Sequence, residues 1–251
     1  MVKSLVHLKT TIAVTILFLF AFSFKTSAQE VSEKSVYNWF DSKIGQENTG
    51  LNNAPLYVNP YRPIKDHHTF LKTDQFTIGN INYDGQPYFD VKLKYDIYTD
   101  QLVLNPFGQF ENVAVALIQE KTNSFFIFNK NFVKLNPKTN TLPDFTAGYY
   151  EIYKANEDLI LYTKHHKDIN KIVKDDGVFY SYKTKNRFYL LYNNNYYAVN
   201  SKNSFIKIFP EFKSNIKSFF SLNSEVYKND DSEFMKKLIF QINTLLKNKS
   251  N

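Results

Sequence analysis

Histidine, carboxylate and amide side chains are the material from which this chain could build a reactive site, because it contains no cysteine. Without thiols there is no disulfide framework, no thiolate-held zinc or iron–sulfur cluster and no cysteine nucleophile. Two pairs of adjacent histidines stand out, His67-His68 after Asp66 and His165-His166 before Asp168. Imidazoles bind transition metals, but neighbours on an extended strand point to opposite faces, so each pair lends about one ligand to a common point. A metal centre therefore needs both pairs and a carboxylate to converge; otherwise the rings are strand-end residues satisfied by the nearby aspartates. His67, His68, His165 and His166 are the candidate metal ligands, and no catalytic residue, cofactor-binding residue or cofactor is assigned.

Asn80, Asn82, Asp84 and Gly85 have the opening spacing of an EF-hand calcium loop, but position one is a neutral amide. Position twelve falls on Val91, where a bidentate glutamate is required, and the intervening Ile81 and Tyr83 read as strand. Asp175-Asp176 and Asp230-Asp231 are carboxylate pairs adjacent in sequence, which suits a turn and a helix cap better than acid–base work. No GxSxG elbow, Walker loop, HExxH helix or dinucleotide fingerprint occurs, and 7 glycines leave little material for a phosphate cradle. A site assembled from scattered histidine and carboxylate side chains stays open, since such residues converge only in the fold.

The elements that must position these groups are mainly strands. Phe76, Ile78, Ile81 and Tyr83 lead into Asp84-Gly85, a dipeptide suited to the positive φ angles of a tight hairpin turn. In the following run Phe89, Val91, Leu93, Tyr95 and Ile97 alternate with Asp90, Lys92, Lys94 and Asp96, so one face is expected in the core. Further strand-like runs at 101–104, 113–118, 124–128, 132–135, 149–154, 158–163, 178–182, 188–192 and 196–199 recur at intervals of roughly 8 to 12 residues. This spacing predicts a mainly β (α+β) fold: an antiparallel meander, sandwich or partly closed barrel.

Helices flank that region. Ser32 suits an N-cap, with Val36, Trp39, Phe40 and Ile44 on one stripe and Gly45 as the stop. Residues 46–66 contain Pro55, Pro60 and Pro63 and read as an irregular arm. After Pro210 the period changes: Phe212, Ile216, Phe219 and Phe220 mark one amphipathic helix, and Phe234, Leu238, Ile242, Leu245 and Leu246 a second, capped by Asp231 or Ser232. The expected organisation is a leader over 1–28, an N-terminal helix and arm over 29–74, a β domain over 75–208 and a helical pair over 209–251.

Lys3 and Lys9 precede an apolar run from Thr11 to Phe24, followed by Thr26-Ser27-Ala28. That is the layout of a secretory signal peptide cleaved after Ala28, because Lys25 ends the run short of the roughly 20 residues of a spanning helix. Cleavage removes three lysines and no acid from 31 basic and 24 acidic residues, leaving a formal charge of +4. Arg62 and Arg187 are the only arginines. Bidentate recognition of phosphates and bases favours arginine, so nucleic acid is not an expected partner.

The stretch Tyr83-Asp84-Gly85-Gln86-Pro87-Tyr88, running through Leu93-Lys94-Tyr95-Asp96 to Asp100-Gln101-Leu102, resembles a group of exported β-rich proteins of Gram-negative bacteria. Gly148-Tyr149-Tyr150-Glu151, the stretch after Leu161 and the C-terminal helical pair extend the resemblance over most of the chain. It implies a secreted or periplasmic location and an antiparallel β domain closed by helices, and it implies neither an activity nor site residues.

The expected function is that of an extracytoplasmic, non-enzymatic binding or envelope-assembly protein. Its partner would be an envelope protein, a polymer or an apolar ligand, met without a transmembrane helix once the leader is gone. Tyr149, Tyr150, Tyr196 and Tyr197 put rings on both faces of their strands, and rings outside the core make a low-entropy contact surface. Two alternatives are a secreted enzyme with a scattered His/carboxylate site, marked by a histidine meeting a carboxylate in a cleft, and an outer-membrane β-barrel.

Overall fold

The computed structural model describes residues 33–45, 48–106, 113–137, 142 and 144–250. The expected leader, its cleavage site and the cap at Ser32 lie outside them. The chain divides into two units, Met1–Val36 and Tyr37–Asn251. Of the first, only residues 33–36 are described, as the opening turn of helix α1 (Glu33–Ile44). Everything below concerns the second unit.

Ten strands form one antiparallel sheet: β1 (Thr77–Tyr83), β2 (Gln86–Asp96), β3 (Gln101–Asn105), β4 (Val115–Ala116), β5 (Thr122–Ile127), β6 (Lys130–Leu135), β7 (Gly148–Asn156), β8 (Leu159–Lys164), β11 (Arg187–Tyr192) and β12 (Asn195–Ala198). Their spatial order is β12-β11-β8-β7-β6-β5-β1-β2-β3-β4, and the sheet is open, not a closed barrel. It is two runs of sequential neighbours joined where β1 pairs with β5, with Asn82 opposite Ser124. A separate hairpin of β9 (Lys167–Lys174) and β10 (Gly177–Thr184) leaves the sheet between β8 and β11. The arm fastens to it, Ile64 N–H donating to Tyr180 O and Tyr180 N–H to Arg62 O, both at 2.9 Å.

Turn chemistry sets the registers. Asp84 and Gly85 carry φ of 53° and 79° between β1 and β2, and Asn193 and Asn194 carry 47° and 61° between β11 and β12. These are positions where aspartate, asparagine and glycine pay least for a left-handed backbone. One expectation on β2 fails in an informative way. Phe89 does not share a face with Val91, Leu93 and Tyr95, because Asp90 at φ 56° forms a bulge in which Gly79 pairs with Val91 but Ile81 with Tyr88. The extra residue moves Tyr88 inward and Phe89 to the outer face. Asp96, expected outside, is buried as the acceptor of Tyr57 Oη at 2.7 Å and of the Tyr98 and Thr99 N–H groups at 2.9 and 3.1 Å.

The inner face carries two core clusters. Val91, Leu93, Tyr95, Phe125, Phe132 and Tyr149 centre the first, with edge-to-face rings such as Tyr95–Phe132 at 5.3 Å. Leu159, Leu161, Phe188 and Leu190 join the second to the C-terminal helices, where the expected pair is four: α2 (Lys202–Ile208), α3 (Lys213–Leu222), α4 (Ser224–Asn229) and α5 (Asp231–Ser250). Pro210 opens a 3-10 turn, Pro210–Phe212, ahead of α3. The outer face is covered at one end by Phe145 packing on Tyr150, Tyr162 and Tyr189. Tyr149 and Tyr150 are therefore core rings, not the contact surface anticipated for them; Tyr196 packs half-buried on Phe145 and Tyr197 against the second cluster.

Candidate functional site

Between the two inner clusters the sheet carries charge where its alternation calls for apolar side chains. Glu151 on β7 pairs with Phe132 on β6 and with Thr163 on β8, both buried, and its own side chain is 1% exposed. Lys130, at the start of β6 and two residues before Phe132, donates to both Glu151 oxygens at 3.0 and 2.9 Å. His165, one residue past β8, places Nε2 at 2.6 Å from Glu151 Oε2. From α5, Ser232 Oγ donates to the same oxygen at 3.2 Å and the Lys236 ammonium contacts Oε1. Helix, sheet and the exit of β8 thus meet on one carboxylate.

Burial alone would raise the Glu151 carboxyl; the hydrogen bond with His165 and the charges of Lys130 and Lys236 outweigh it and hold the group well below the usual carboxylate range. Burial pushes the Lys130 ammonium down, and the Glu151 charge offsets part of that. Lys236 pays a desolvation cost too, but Glu151 leaves it above its ordinary value. One carboxylate against two ammonium groups leaves the cluster positive.

The cluster opens onto a cavity of about 350 Å³ lined by Lys130, His165 and Ser232 on one side and by His68, Lys72 and Lys167 on the other. Asp230, Asp231 and Lys228, at the junction of α4 and α5, also line it. Asp230 caps α5, accepting from Glu233 N–H at 2.9 Å, and Asp231 accepts from Asn186 Nδ2 at 2.7 Å. With Nε2 engaged by Glu151, Nδ1 of His165 is the ring nitrogen left without a partner among the described residues. A carboxylate-anchored imidazole of this kind can accept a proton or a hydrogen bond, and the surrounding ammonium groups favour a negatively charged guest.

No protein-family model, curated protein or solved structure matches this chain. The site therefore rests on its own geometry. His68 and His165 line the same cavity, whereas His67 Nδ1 accepts from Tyr182 N–H at 3.0 Å and His166 Nε2 lies 3.4 Å from Asp168 at the surface. Among the described residues no group of three or more histidine and carboxylate side chains is placed to hold a metal ion. The calcium-like spacing is absorbed by β1 and its turn: Asp84 accepts from Lys121 Nζ at 3.0 Å, and Asn82 Oδ1 accepts from Asn123 Nδ2 at 3.1 Å. No helix among the described residues is long and apolar enough to cross a membrane.

Lys130, Glu151, Lys167 and Lys236 were not singled out by motif. The signal for the first two was phase: Lys130 shares the inward parity of Phe132, and Glu151 that of Tyr149.

Lys167 is the lock of the cavity's far wall. Its Nζ donates to the carbonyl oxygens of His68 and Phe70 at 2.7 and 2.8 Å, tying the arm to β9. Burial lowers its pKa to about 8. The folded protein thus releases this proton near pH 8, while the unfolded chain holds it to about pH 10.4. Between those values the unfolded state binds more protons, so this group makes stability rise with pH. Urea titrations of the protein and its Lys167→Met variant at pH 7 and pH 10 are expected to show the wild type gaining relative to the variant at the higher pH. A constant difference would contradict the assignment.

Proposed function

We propose that this chain is an exported, non-enzymatic binding protein of the bacterial envelope that takes a small acidic ligand, bearing a carboxylate, sulfate or phosphate, into the cavity beneath the start of α5. The observation that carries the reading is that Lys130 and Lys167 line one cavity with their ammonium groups largely withdrawn from water, joined there by Lys72 and Lys228, against Asp230 and Asp231 in the wall and Glu151 behind Lys130. A buried positive excess attracts an anion more strongly than surface lysines do, because screening by solvent is reduced. Export rests on the leader-like segment over residues 1–28.

The test is calorimetry and thermal unfolding of residues 29–251 with sulfate, phosphate and glucuronate at low ionic strength. At least one anion is expected to raise the melting temperature in proportion to the logarithm of its concentration, as binding to the folded state requires. The rim variant Lys72→Glu/Lys228→Glu, which leaves the Glu151 cluster intact, is expected to weaken that binding at least tenfold. Silence of all three anions at millimolar concentration would refute the proposal.

One observation favours a second reading. The pairing of Glu151 with His165 at 2.6 Å, with Nδ1 unpartnered beside a cavity, is the arrangement of a general base oriented by a carboxylate. A hydrolase of this kind would activate water, since the Ser232 hydroxyl in the same wall is turned toward Glu151. Turnover of a chromogenic ester or glycoside, abolished by His165→Gln, would select it.

A further inference from the structure

We infer a second binding site, for a neutral polysaccharide, on the open half of the sheet's outer face. Phe145 and its tyrosine neighbours cover that face over β7, β8 and β11, but over β2, β1, β5 and β6 it forms a shallow depression of about 340 Å³. Its outward side chains include Phe89, Phe126, Asn80, Asn82, Ser124 and Asn131, with Pro87 and Val133 at its margins. None of the twelve residues lining it is charged.

The two phenylalanines are out of place as core residues. Both are half-buried, and neither belongs to a core cluster among the described residues. Phe89 faces outward only because of the bulge at Asp90, a local distortion that re-aims one side chain; Tyr37 of α1 stands beside it, ring to ring at 6.2 Å. Phe126 lies opposite Asn80 on β1 and Asn131 on β6, so its ring sits between two amides in one row across three strands. Behind this row the inner rings Phe125 and Phe132 stack at 4.5 Å, which gives the outer rings a rigid backing.

The amides are partly fixed in direction. Asn80 Oδ1 accepts from Asp90 N–H at 3.2 Å and Asn82 Oδ1 accepts from Asn123 Nδ2 at 3.1 Å, leaving the NH₂ groups of Asn80 and Asn82 as donors. Each amide carries two donors and a carbonyl acceptor, so these side chains and Asn131 offer both halves of the hydrogen bond to a hydroxyl-rich guest.

This combination selects among guests. A sugar ring presents an apolar C–H face, which suits an aromatic ring, and a rim of hydroxyls, which suits amides. A lipid or purely apolar partner would leave the amides buried with no hydrogen bond to replace the water they lose, which disfavours it. An acidic or basic polymer finds no counter-charge in the lining. The volume falls at the low end of the roughly 300–1,000 Å³ typical of ligand sites, and the depression's openness to solvent fits a chain passing over it more than an enclosed molecule.

The experiment is titration of residues 29–251 with hexasaccharides of glucose, mannose and xylose, followed by calorimetry and by amide NMR shifts. At least one is expected to bind with an affinity unchanged between about 50 and 500 mM NaCl, since no ion pair is involved. Phe126→Ala and the exposed-site variant Asn131→Asp are each expected to weaken that binding at least tenfold, whereas Lys72→Glu/Lys228→Glu leaves it unchanged. The second variant alters only an exposed side chain and so reports on the site even if the first fails to fold. Absence of binding by all three sugars, binding that fades with salt, or binding retained by Asn131→Asp would overturn the inference. So would sedimentation as a dimer that Asn131→Asp dissociates, which would give this face to a second copy of the chain.

Discussion

Glu151→Gln is expected to lower the unfolding free energy by about 3–5 kcal/mol, the loss found when one partner of a buried ion pair is removed and the other stays behind. The shape of the side chain is kept, so the change isolates charge. Lys130 Nζ spends its hydrogen bonds on the two Glu151 oxygens, with Ser232 Oγ at 3.5 Å, and Lys236 reaches the same carboxylate from α5. In the variant two desolvated ammonium groups face a neutral amide, and His165 loses the anion that orients it. For a chain of this size the loss corresponds to roughly 6–20 °C in melting temperature. The same group makes an acid limb: its folded pKa is depressed, so its contribution is complete above the unfolded value of about 4.3 and is lost as pH falls below it. Urea unfolding at pH 7 and pH 3 checks both statements, and the difference between wild type and Glu151→Gln should shrink at the lower pH. A loss below about 1 kcal/mol at pH 7 would mean that the cluster is hydrated and does not act as a buried pair.

Asp100→Asn is expected to cost about 2–3 kcal/mol, in keeping with hydrogen bonds to a charged group in a partly buried setting. Asp100 sits in the turn between β2 and β3 at φ 56°, a conformation asparagine accepts, so backbone strain does not confuse the result. Its carboxylate receives Tyr95 Oη at 2.5 Å, Lys164 Nζ at 2.5 Å, Gln119 Nε2 at 3.1 Å and the Tyr149 N–H at 3.3 Å. The backbone has made room for this convergence. Gly148 stands at φ 141°, and a Cβ there would run into the Asp100 carboxylate and Lys164 Nζ. Burial lowers the Lys164 ammonium, and Asp100 offsets part of that cost. The double variant Asp100→Asn/Lys164→Met should therefore lose less than the two single variants summed, because the orphaned charge has gone with its partner. Additive losses would deny the coupling.

What the sequence disclosed follows from which signals are local. Asp84-Gly85 fixed a turn within four residues, and Val91, Leu93, Tyr95 and Ile97 declared one face by parity alone, as the structure bears out. Parity could not foresee the bulge at Asp90, since an inserted residue reverses every side chain before it while leaving composition untouched. Strand β9 escaped notice because a two-stranded hairpin standing off the main sheet buries little on either side, so Lys167-Asp168-Ile169-Asn170-Lys171 shows no alternation. The candidate site was half legible. Glu151 and Lys130 violate the inward phase of their strands, which can be read; that Ser232 and Lys236 arrive from 81 and more residues away to meet them cannot, because only tertiary packing makes that contact. The double histidines drew attention to the right neighbourhood through His68 and His165, which line one cavity, His165 with its Nε2 on Glu151.

The seam between β1 and β5 has a kinetic meaning. Every other pairing in the large sheet links strands that follow one another or are separated by a single hairpin, whereas Tyr83 waits for Thr122 until three intervening strands have been placed. Closing so long a loop carries an entropic cost that neighbouring turns do not, so the two halves assemble early and their union comes last. Until then the bare margin of β1 offers its backbone to any passing strand, and the interval before that union is when a nascent copy is most exposed to self-association.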